Sequence, residues 1–575
     1  MIVLVSPSER ADRQTLVTTA HMRLMVLLLL FLAGAVLILG RLTQLAFSAE
    51  PYHSGAIDGR YVPARADILD RNGAPLARTI DGWSIGVHPD KVIGDKQQLA
   101  QELANVLPAH DAAWYYRKLN LDVPFTYLAR RALPETVERV NAIGEPGIAF
   151  GREPERLYPQ STLAAHVLGF VGADGHGLRG IERSLDARLT DPDKRADPVE
   201  LSIDSRVQAA MESELSSAMA EFKAEGAAGI VLDVHTGEVI AMSSLPTFNP
   251  NDIKHATQAE LRNNVTQARY ELGSVFKPLA MAQAIDTGTV TSMARRFDAT
   301  KPLKVGRFTI HDDPGDEQRR WLNIPETLIY SSNIATARIA DLMGEDKMKQ
   351  LFHKLHFDQE SQIQIEEKMP PLWPTYWGRT TTMTTAFGHG IAITPIQLAT
   401  AYAALVNGGI WRPATLLKVA PGHAAKGQRV FSQATSDRMR QLLRLVVLDG
   451  TGRKAAAPGY RVGGKTGTAE IANNGRYEKH SNVSTFAGVF PMDNPRYVVI
   501  ATLVAPVGNA STYGFTTAAW TAGPVASHVI TRVGSMLGVT PSMHRDIDVS
   551  DLTPLLWHRP GSTDGASETK VASTQ

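Results

Sequence analysis

The sequence predicts a membrane-anchored protein of mixed α and β structure, with a C-terminal domain of the α/β or α+β class. Two observations support this prediction. Residues 24–40 form an apolar run near the N-terminus that no charged residue interrupts. From about residue 198 onward, pairs of apolar strand candidates alternate with helical patterns. The length of 575 residues also exceeds the usual size of one domain, so two or three domains are expected.

Composition and charge exclude several classes of protein. Apolar residues make up 43% of the chain, which is enough for large cores and far from a disordered composition. The 59 Lys and Arg residues balance 58 Asp and Glu residues, so the net charge of +1 gives no overall attraction to nucleic acid. The absence of cysteine excludes disulfides, thiol nucleophiles and cysteine metal sites. We expect no metal, no cofactor and no nucleic-acid partner.

The N-terminal run is apolar on every side of a helix, which is typical of a membrane span and not of a core helix. Its length lies near the lower limit for crossing a bilayer, and Leu42 and Leu45 extend the apolar surface beyond Arg41. A cleaved signal peptide is the alternative, but residues 46–48 (Ala-Phe-Ser) make a poor cleavage site and the run is longer than usual. We therefore predict a retained transmembrane helix over residues 23–45.

The charges beside this run predict its orientation. Arg10, Arg13 and Arg23 precede it within one short segment. Because an excess of positive charge marks the cytoplasmic flank, we expect the N-terminus in the cytoplasm and everything after about residue 46 outside.

The chain is therefore divided into five predicted segments. A Gly-, Ser-, Thr- and Asp-rich composition from about Arg559 predicts a disordered end. The segments are a cytoplasmic tail (1–22), the transmembrane helix (23–45), a mixed N-terminal domain (46–195), a C-terminal domain (196–545) and a flexible C-terminal tail (546–575).

Local patterns predict several elements of the two large domains. An Asn72-Gly73 pair between apolar residues indicates a hairpin. Residues 228–234 and 239–243 are candidate strands joined by a turn. Residues 394–405 predict a helix, with Thr at its start, Pro at its first position and a Gly pair after its end. Residues 497–504 predict a buried strand.

Three short motifs whose side chains could take part in catalysis follow one another in the C-terminal domain. They are Ser274-Val275-Phe276-Lys277, Ser331-Ser332-Asn333 and Lys465-Thr466-Gly467-Thr468. The first two motifs are common by chance in a chain of this length. The evidence for a catalytic site is therefore the order of the three motifs and the helix or strand predicted around each of them.

The first motif lies where a helix is predicted to begin. Apolar residues follow Ser274 with helical spacing until Gly288, and Pro278 is tolerable only near the first turn. Since residues three apart share a helix face, Lys277 is expected to reach the Ser274 hydroxyl. A serine becomes nucleophilic when a neighbour takes its proton, and a lysine can do so when burial or nearby cations lower its pKa. The alternative is a serine N-cap followed by a surface lysine, and the motif alone does not decide.

The other two motifs suit a peptide substrate. Gly467 in a predicted edge strand lets a substrate backbone approach closely, and the flanking threonines and Lys465 suit a carboxylate. Ser331 and Asn333 follow an apolar helical stretch at residues 322–330. A hydroxyl there could relay protons, and an amide could hold a peptide group.

The chain resembles class B penicillin-binding proteins, and in particular the septal, FtsI-type peptidoglycan D,D-transpeptidases. The ordered motifs are a signature shared by penicillin-binding proteins and serine β-lactamases. Segments similar to the class B transpeptidase domain are residues 232–252, 331–340, 394–409, 449–455 and 462–470. Segments similar to the non-catalytic pedestal are RADILDRNG (65–73), RLYP (156–159) and GLRGIE (177–182). The Ser-Ser-Asn form of the second motif and the single anchor are similar to the septal type.

This resemblance implies an α+β fold in three parts. An N-terminal transmembrane helix precedes an elongated, mixed pedestal domain for dimerisation or interaction. A penicillin-binding, serine β-lactamase-like transpeptidase domain follows, with an antiparallel sheet flanked by helices.

The resemblance also implies catalytic roles. Ser274 would be the acylated nucleophile, Lys277 its general base, and Ser331 the group that passes a proton to the leaving D-alanine. The oxyanion hole would consist of the backbone N–H groups of Ser274 and Thr468. Implied substrate-binding residues are Asn333 for the donor peptide, Lys465 for positive charge, and Thr466, Gly467 and Thr468 for the terminal carboxylate.

The implied activity is the cross-linking of peptidoglycan stem peptides ending in D-Ala-D-Ala at the division septum, with β-lactams as covalent inhibitors. The implied location is the bacterial inner membrane, with the catalytic domain in the periplasm. Implied partners are a membrane glycan polymerase of the FtsW type and other division proteins. The alternatives are an elongation-type relative, a β-lactamase, and a non-enzymatic β-lactam sensor or divisome scaffold, although a scaffold would be expected to lose a motif residue.

Some positions depart from the family pattern or carry no predicted function. Leu272 stands where the family usually has proline, and Glu470 replaces a common glutamine, which would bear on donor or β-lactam preference. The acidic segment 311–317 matches no calcium-loop spacing, so a solvated loop is predicted there.

Overall fold

The structure, a computed structural model, describes residues 7–47, 63–473 and 476–557. Helix α1 (Pro7–Phe47) contains the predicted apolar segment. Its portion His21–Arg41 has a mean hydropathy of 2.7 and is exposed along its length. Among the described residues, this is the one helix long and apolar enough to cross a membrane, so the predicted N-terminal apolar helix is confirmed.

The chain forms two compact units, Met1–Val62 with Asp81–Pro154 and Pro63–Ile80 with Glu155–Gln575. The region predicted as the pedestal, residues 46–195, therefore contributes to both units. Its strands are β1 (Ile68–Leu69), β2 (Pro75–Val87), β3 (Thr126–Ala132) and β4 (Ile148–Leu157), followed by β5 (Val199–Glu200). Its helices are α2 (Lys96–Val106), α3 (Ala112–Leu119), α4 (Pro134–Asn141), α5 (Ala165–Leu168), α6 (Gly180–Ser184) and α7 (Asp186–Thr190), with a 3-10 helix at Pro89–Lys91.

In the second unit, β1 pairs antiparallel with the start of β2 and parallel with β5. In the first unit, the end of β2 pairs antiparallel with β3, with Ile85 opposite Ala129. Strands β1 and β2 pair antiparallel across the predicted Asn72-Gly73 turn, where Gly73 has a φ of +86°. Left-handed backbone of this kind favours glycine, so the hairpin prediction is confirmed.

The three segments that resemble a pedestal meet at the buried carboxylate of Glu182. Arg65 Nε donates to Glu182 Oε2 at 2.8 Å, and Arg156 Nε donates to Glu182 Oε1 at 2.7 Å. The Tyr158 hydroxyl donates to Glu182 Oε1 at 3.3 Å. Buried charges are tolerated when they are paired and hydrogen-bonded in this way.

The second unit contains most of the secondary structure. Its strands are β6 (Gly226–Asp233), β7 (Val239–Leu245), β8 (Phe297–Asp298), β9 (Leu303–Val305), β10 (Phe308–Ile310), β11 (Trp321–Leu322), β12 (Ile410–Trp411), β13 (Gln428–Arg429), β14 (Gly463–Asn473), β15 (Arg476–Phe490) and β16 (Tyr497–Val504). Its helices are α8 (Ser205–Glu221), α9 (Gln258–Leu261), α10 (Lys277–Asp286), α11 (Ile324–Ile329), α12 (Asn333–Met343), α13 (Glu345–Lys354), α14 (Arg379–Thr385), α15 (Pro395–Val406), α16 (Gln433–Asp449) and α17 (Ala522–Val533). Three 3-10 helices lie at Gly273–Phe276, Arg453–Ala455 and Thr553–Leu555.

An antiparallel five-stranded sheet organises this unit, with the strand order β14–β15–β16–β6–β7. Helices α8 and α17 pack on one face, and helix α15 packs on the other. Successive residues of β6 alternate between the two cores: Ile230 and Leu232 join one core, whereas Val231 joins the other. The expected α+β fold, with an antiparallel sheet flanked by helices, is confirmed.

The elements predicted from local patterns are present with small shifts. The predicted strands 228–234 and 239–243 correspond to β6 and β7, and residues 497–504 form β16. The predicted helix is α15, and at its start the Gln397 side chain accepts a hydrogen bond from the Thr394 N–H at 3.1 Å.

The C-terminal residues correct one predicted boundary. Residues 546–557 were expected to be flexible, but Leu552 is only 1% exposed in the core. Asn323 Nδ2 also donates to the Leu555 carbonyl at 2.6 Å. Apolar side chains and backbone acceptors of this segment are thus used in packing, and the polar composition that predicts a disordered end begins only after it, at about Arg559. The remainder of the predicted tail, residues 558–575, lies outside the described residues.

Candidate active site

Ser274 lies in the 3-10 helix Gly273–Phe276, directly before α10. The α-helix begins at Lys277, so the serine precedes it by one tight turn, and Pro278 lies in the first helical turn, where its missing N–H has no cost. The Ser274 side chain is almost fully buried.

Two glycines allow strand β14 to lie against this turn. Gly273 has a φ of +59°, and a Cβ atom there would stand 2.6 Å from the Thr468 carbonyl oxygen. A Cβ atom at Gly467 would collide with the Leu272 carbonyl oxygen. Any other residue would therefore separate Ser274 from the strand that carries Thr468.

The side chain of Lys277 is fully buried and contacts the second motif. Its Nζ donates to the Ser331 hydroxyl at 3.0 Å and also to the Ser331 carbonyl oxygen. Ser331 has a φ of +56°, an uncommon backbone conformation for a residue with a side chain. Such a conformation persists when its surroundings enforce it, and it is common at functional sites.

Lys465 of the third motif reaches the same hydroxyl. It is fully buried, and its Nζ donates to Ser331 Oγ at 2.9 Å and to the Thr466 carbonyl at 3.1 Å. The Ser331 hydroxyl therefore joins two lysines from distant parts of the chain, Lys277 and Lys465.

Burial changes the proton affinity of both lysines. Burial lowers the pKa of Lys277 to about 8, although nearby carboxylates favour its ammonium form. Those carboxylates belong to Asp313, Asp312 and Asp316. Burial, and then the charge of Lys277, lower the pKa of Lys465 well below its usual value. Two buried ammonium groups beside one hydroxyl disfavour each other, so near neutral pH the pair favours a state with one neutral amine.

Asn333 is held at the start of α12 by a loop that was predicted to be solvated. Its Nδ2 donates to the His311 carbonyl at 3.0 Å and to Asp313 Oδ1 at 3.2 Å. Asp312 is buried, and its Oδ1 accepts hydrogen bonds from the Ser332 hydroxyl and the Ile334 N–H, both at 3.0 Å. The solvated-loop prediction is wrong for Asp312, because the acidic residue satisfies buried donors at a helix start.

The third motif lies on β14, at the edge of the sheet. Strand β15 pairs with one side of β14, with Thr466 opposite Phe486. Thr466 Oγ1 lies 2.8 Å from Thr451 Oγ1, and Thr468 Oγ1 accepts a hydrogen bond from the Ala518 N–H at 3.1 Å. Sequence reasoning assigned no role to Thr451, although the Asp-Gly-Thr-Gly segment that contains it was among the recognised stretches.

The fold thus brings the three motifs together. Lys277, Ser331 and Lys465 share one hydrogen-bonded cluster, and the turn with Ser274 lies against β14. In the described part of the chain, the Ser274 hydroxyl makes no hydrogen bond, and the Lys277 ammonium binds Ser331 instead. Catalytic hydrogen bonds are often long without substrate and form only in the complex.

Comparison with protein families matches both parts of the chain. Residues 227–525, more than half of the chain, match the family described as the penicillin binding protein transpeptidase domain. Residues 60–194 match the penicillin-binding protein dimerisation domain.

Individual relatives extend over most of the chain. A probable peptidoglycan D,D-transpeptidase FtsI of Caulobacter vibrioides is 39% identical over 83% of this chain and 82% of the relative. The peptidoglycan D,D-transpeptidase FtsI of Escherichia coli is 30% identical over 77% of this chain and 79% of the relative. A crystal structure of penicillin binding protein 3 from Mycobacterium tuberculosis, complexed with aztreonam, is 27% identical and superposes with a TM-score of 0.66. The superposition covers 84% of this chain and 98% of the chain in that crystal structure.

The dimerisation match, the transpeptidase match and the extent of the relatives agree with the expected class B organisation. With the antiparallel sheet and the three motifs gathered at one edge strand, they show that this chain belongs to the penicillin-binding protein transpeptidase family.

Proposed function

We propose that this chain is a septal peptidoglycan D,D-transpeptidase that joins stem peptides through an acyl-enzyme on Ser274. Membership of the transpeptidase family supports the reaction class, and the FtsI names of the relatives support the septal assignment. An elongation-type class B transpeptidase shares the chemistry, so cell biology separates the two roles.

In the first step, Ser274 Oγ attacks the carbonyl carbon of the penultimate D-alanine of a donor peptide. Lys277 takes the serine proton, and the backbone N–H groups of Ser274 and Thr468 stabilise the oxyanion. The C–N bond to the terminal D-alanine breaks, and Ser331 passes a proton to its amine. Free D-alanine leaves, and the donor remains as an ester on Ser274.

Binding of the donor gives the two lysines different protonation states. They compete for protons through the Ser331 hydroxyl, so the pair titrates as a unit. A substrate carboxylate bound by Thr466 and Thr468 favours the ammonium form of nearby Lys465. Lys277 is then left neutral, which is the form that a general base requires.

The donor peptide lies along β14, whose edge beside Ser274 is free of a paired strand in the described part of the sheet. Gly467 permits close approach of the donor backbone. Asn333 binds a peptide group of the donor, in exchange for its present contact with Asp313. β-Lactams acylate the same serine and occupy the same groups.

The anchor helix and the charges beside it support the proposed location and a membrane partner. The positive charges of Arg10, Arg13 and Arg23 before the anchor support an N-terminus in the cytoplasm and a catalytic domain in the periplasm. The adjacent small residues Ala33, Gly34 and Ala35 of α1 permit close packing against another membrane helix. The proposed partners are a membrane glycan polymerase of the FtsW type and other division proteins.

One observation carries this proposal: the Ser331 hydroxyl lies within 3.0 Å of two fully buried lysines, at the edge strand beside Ser274. Burying two lysine amines side by side is costly, because burial and the neighbouring amine both disfavour their charged forms. Proton transfer to and from a nucleophilic serine is a function that would require two buried lysines beside one hydroxyl.

The test is turnover of a donor peptide ending in D-Ala-D-Ala by the full chain in detergent. Ser274→Ala should abolish D-alanine release and cross-link formation while leaving the fold intact. Ser432→Ala is a matched control, because Ser432 caps α16 and lies outside the catalytic cluster. It should cost about 1 kcal/mol of stability and leave turnover unchanged. Normal turnover by Ser274→Ala would contradict the proposal.

A further inference from the structure

Arg320 lies between two aromatic rings close to the second motif. Its guanidinium carbon is 5.3 Å from the centroid of the Tyr330 ring and 5.1 Å from the centroid of the Trp557 ring. Tyr330 directly precedes Ser331, and Trp557 is the last residue that the structure describes in the C-terminal segment. The arginine therefore joins this segment to the residue beside the proposed proton carrier.

A buried carboxylate holds the guanidinium group in place. Arg320 Nη1 donates to Glu326 Oε1 at 2.9 Å, and the Glu326 side chain is fully buried. The backbone N–H of Trp557 donates to the same oxygen at 2.9 Å. At the same end of α11, Asn323 Nδ2 donates to the Leu555 carbonyl at 2.6 Å. The C-terminal segment and the arginine are thus fixed together at the start of this helix.

A simple ion pair with Glu326 does not account for the other contacts of Arg320. Its Nε and Nη2 atoms are buried, and neither has a hydrogen-bond partner in the described residues. Buried donors without a partner are rare in folded proteins. The guanidinium group instead lies over the rings of Tyr330 and Trp557, and such contacts are stronger where water is excluded.

The backbone after α11 shows why the position of Tyr330 matters. The helix ends at Ile329, and the Tyr330 N–H donates to the Glu326 carbonyl at 3.0 Å. Ser331 then adopts a left-handed φ of +56°. Because this conformation is costly for a residue with a side chain, the surrounding residues must enforce it. Arg320 holds the ring of the residue directly before this turn.

We propose that Arg320 is a positioning residue, held by Trp557, that fixes the Ser331 hydroxyl for proton transfer to the leaving amine. The clamped ring of Tyr330 restricts rotation of the backbone at Ser331. The hydroxyl therefore stays within hydrogen-bond distance of both buried lysines. This inference rests on the proposed transpeptidase function and adds a group outside the three motifs.

The contribution of a positioned Ser331 hydroxyl depends on the leaving group. When the C–N bond of an amide donor breaks, its electron pair goes to the nitrogen, which takes the Ser331 proton. Lys277, which received the proton of Ser274, returns one proton to Ser331, so the transfers balance. A thioester releases a thiolate, which needs no proton when the C–S bond breaks. Acylation by a thioester therefore does not require the Ser331 hydroxyl as a proton donor.

The experiment compares two donors that carry the same acyl group, using the full-length chain. One donor ends in amide-linked D-alanine and the other in a thioester, and the acylation rate is measured for both. Arg320→Lys keeps a charge beside Glu326 but loses the planar group, and Trp557→Leu removes one ring. Each should slow acylation by the amide about tenfold and leave acylation by the thioester within about twofold. Trp557→Phe keeps a ring and should retain the amide rate.

Arg496→Lys is the matched control. Arg496 lies 5.2 Å from the centroid of the Tyr497 ring and contacts none of the three motifs in the described part of the chain. It should change neither rate. Equal slowing with both donors would overturn the inference, because it indicates a general loss of structure, and so would an unchanged amide rate in both test variants. An unsubstituted chain that reacts with neither donor would instead contradict the proposed function.

Discussion

At the scale of single residues, the proposed mechanism makes the reactivity of Ser274 depend on the buried amine of Lys277. Burial lowers the pKa of Lys277 to about 8, so the ammonium form predominates below that pH and cannot accept the serine proton. The second-order rate of penicillin acylation should therefore rise between about pH 6 and pH 9, with a midpoint near 8. A rate that is flat or falls over this range would exclude Lys277 as the base.

Thr451 is a second residue-scale test, because it supports the third motif from a neighbouring segment. Its hydroxyl lies 2.8 Å from Thr466 Oγ1 and 3.4 Å from Lys465 Nζ. Thr451→Val keeps the shape and removes these contacts. We expect about tenfold slower acylation and a loss of about 1 kcal/mol in unfolding free energy. Thr451→Ser should retain both values, and normal acylation by the valine variant would remove Thr451 from the site.

Some residues of the candidate site could be predicted from the sequence and others could not. The three motifs were found because their residues stand close together along the chain. Thr451 and Asp312 were missed because their partners, Thr466 and Ser332, lie 15 and 20 positions away. Such proximity depends on how helices pack beside β14, and no local pattern encodes that packing.

At the scale of elements, regular patterns were the most predictable. Helix α15 has both of its end signals in the sequence, and β16 is a continuous apolar run. The helix after Ser274 starts later than spacing alone indicates. There the close contact between Gly273 and Thr468 accompanies a tight 3-10 turn. The local spacing does not encode this tertiary contact, which lies directly beside Ser274.

The segment 546–557 carries an element-scale prediction. It pairs with α16 through Arg438 and Asp551 at 2.6 Å and reaches α11, where the Trp557 N–H donates to Glu326 at 2.9 Å. Because α11 leads to the second motif, removal of residues 546–575 should slow acylation. It should also lower the free energy of unfolding by about 2–4 kcal/mol, since buried Leu552 and these contacts are lost.

Removal of residues 558–575 alone is the matched control for that truncation. It leaves every contact of the segment described above in place, so both values should remain unchanged. Chemical denaturation and penicillin binding measure the two effects. Equal behaviour of the two truncated chains would show that residues 546–557 do not support the site.

At the scale of the whole molecule, the septal role predicts a cell phenotype. An anchored transpeptidase works on strands made nearby, since tethering replaces a bimolecular search with a high effective concentration. Depletion of the chain should block division and leave filaments that still elongate, as seen by microscopy. Rounded cells would indicate the elongation complex, and normal growth with normal division would reject both roles.

The central claim is that one serine of this chain forms the acyl-enzyme, and mass spectrometry tests it most directly. The full-length chain is treated with a labelled penicillin, digested and sequenced at the modified peptide. The account predicts a stable ester on Ser274, and no label in Ser274→Ala. Label attached to any other residue, or undiminished label in Ser274→Ala, would contradict it.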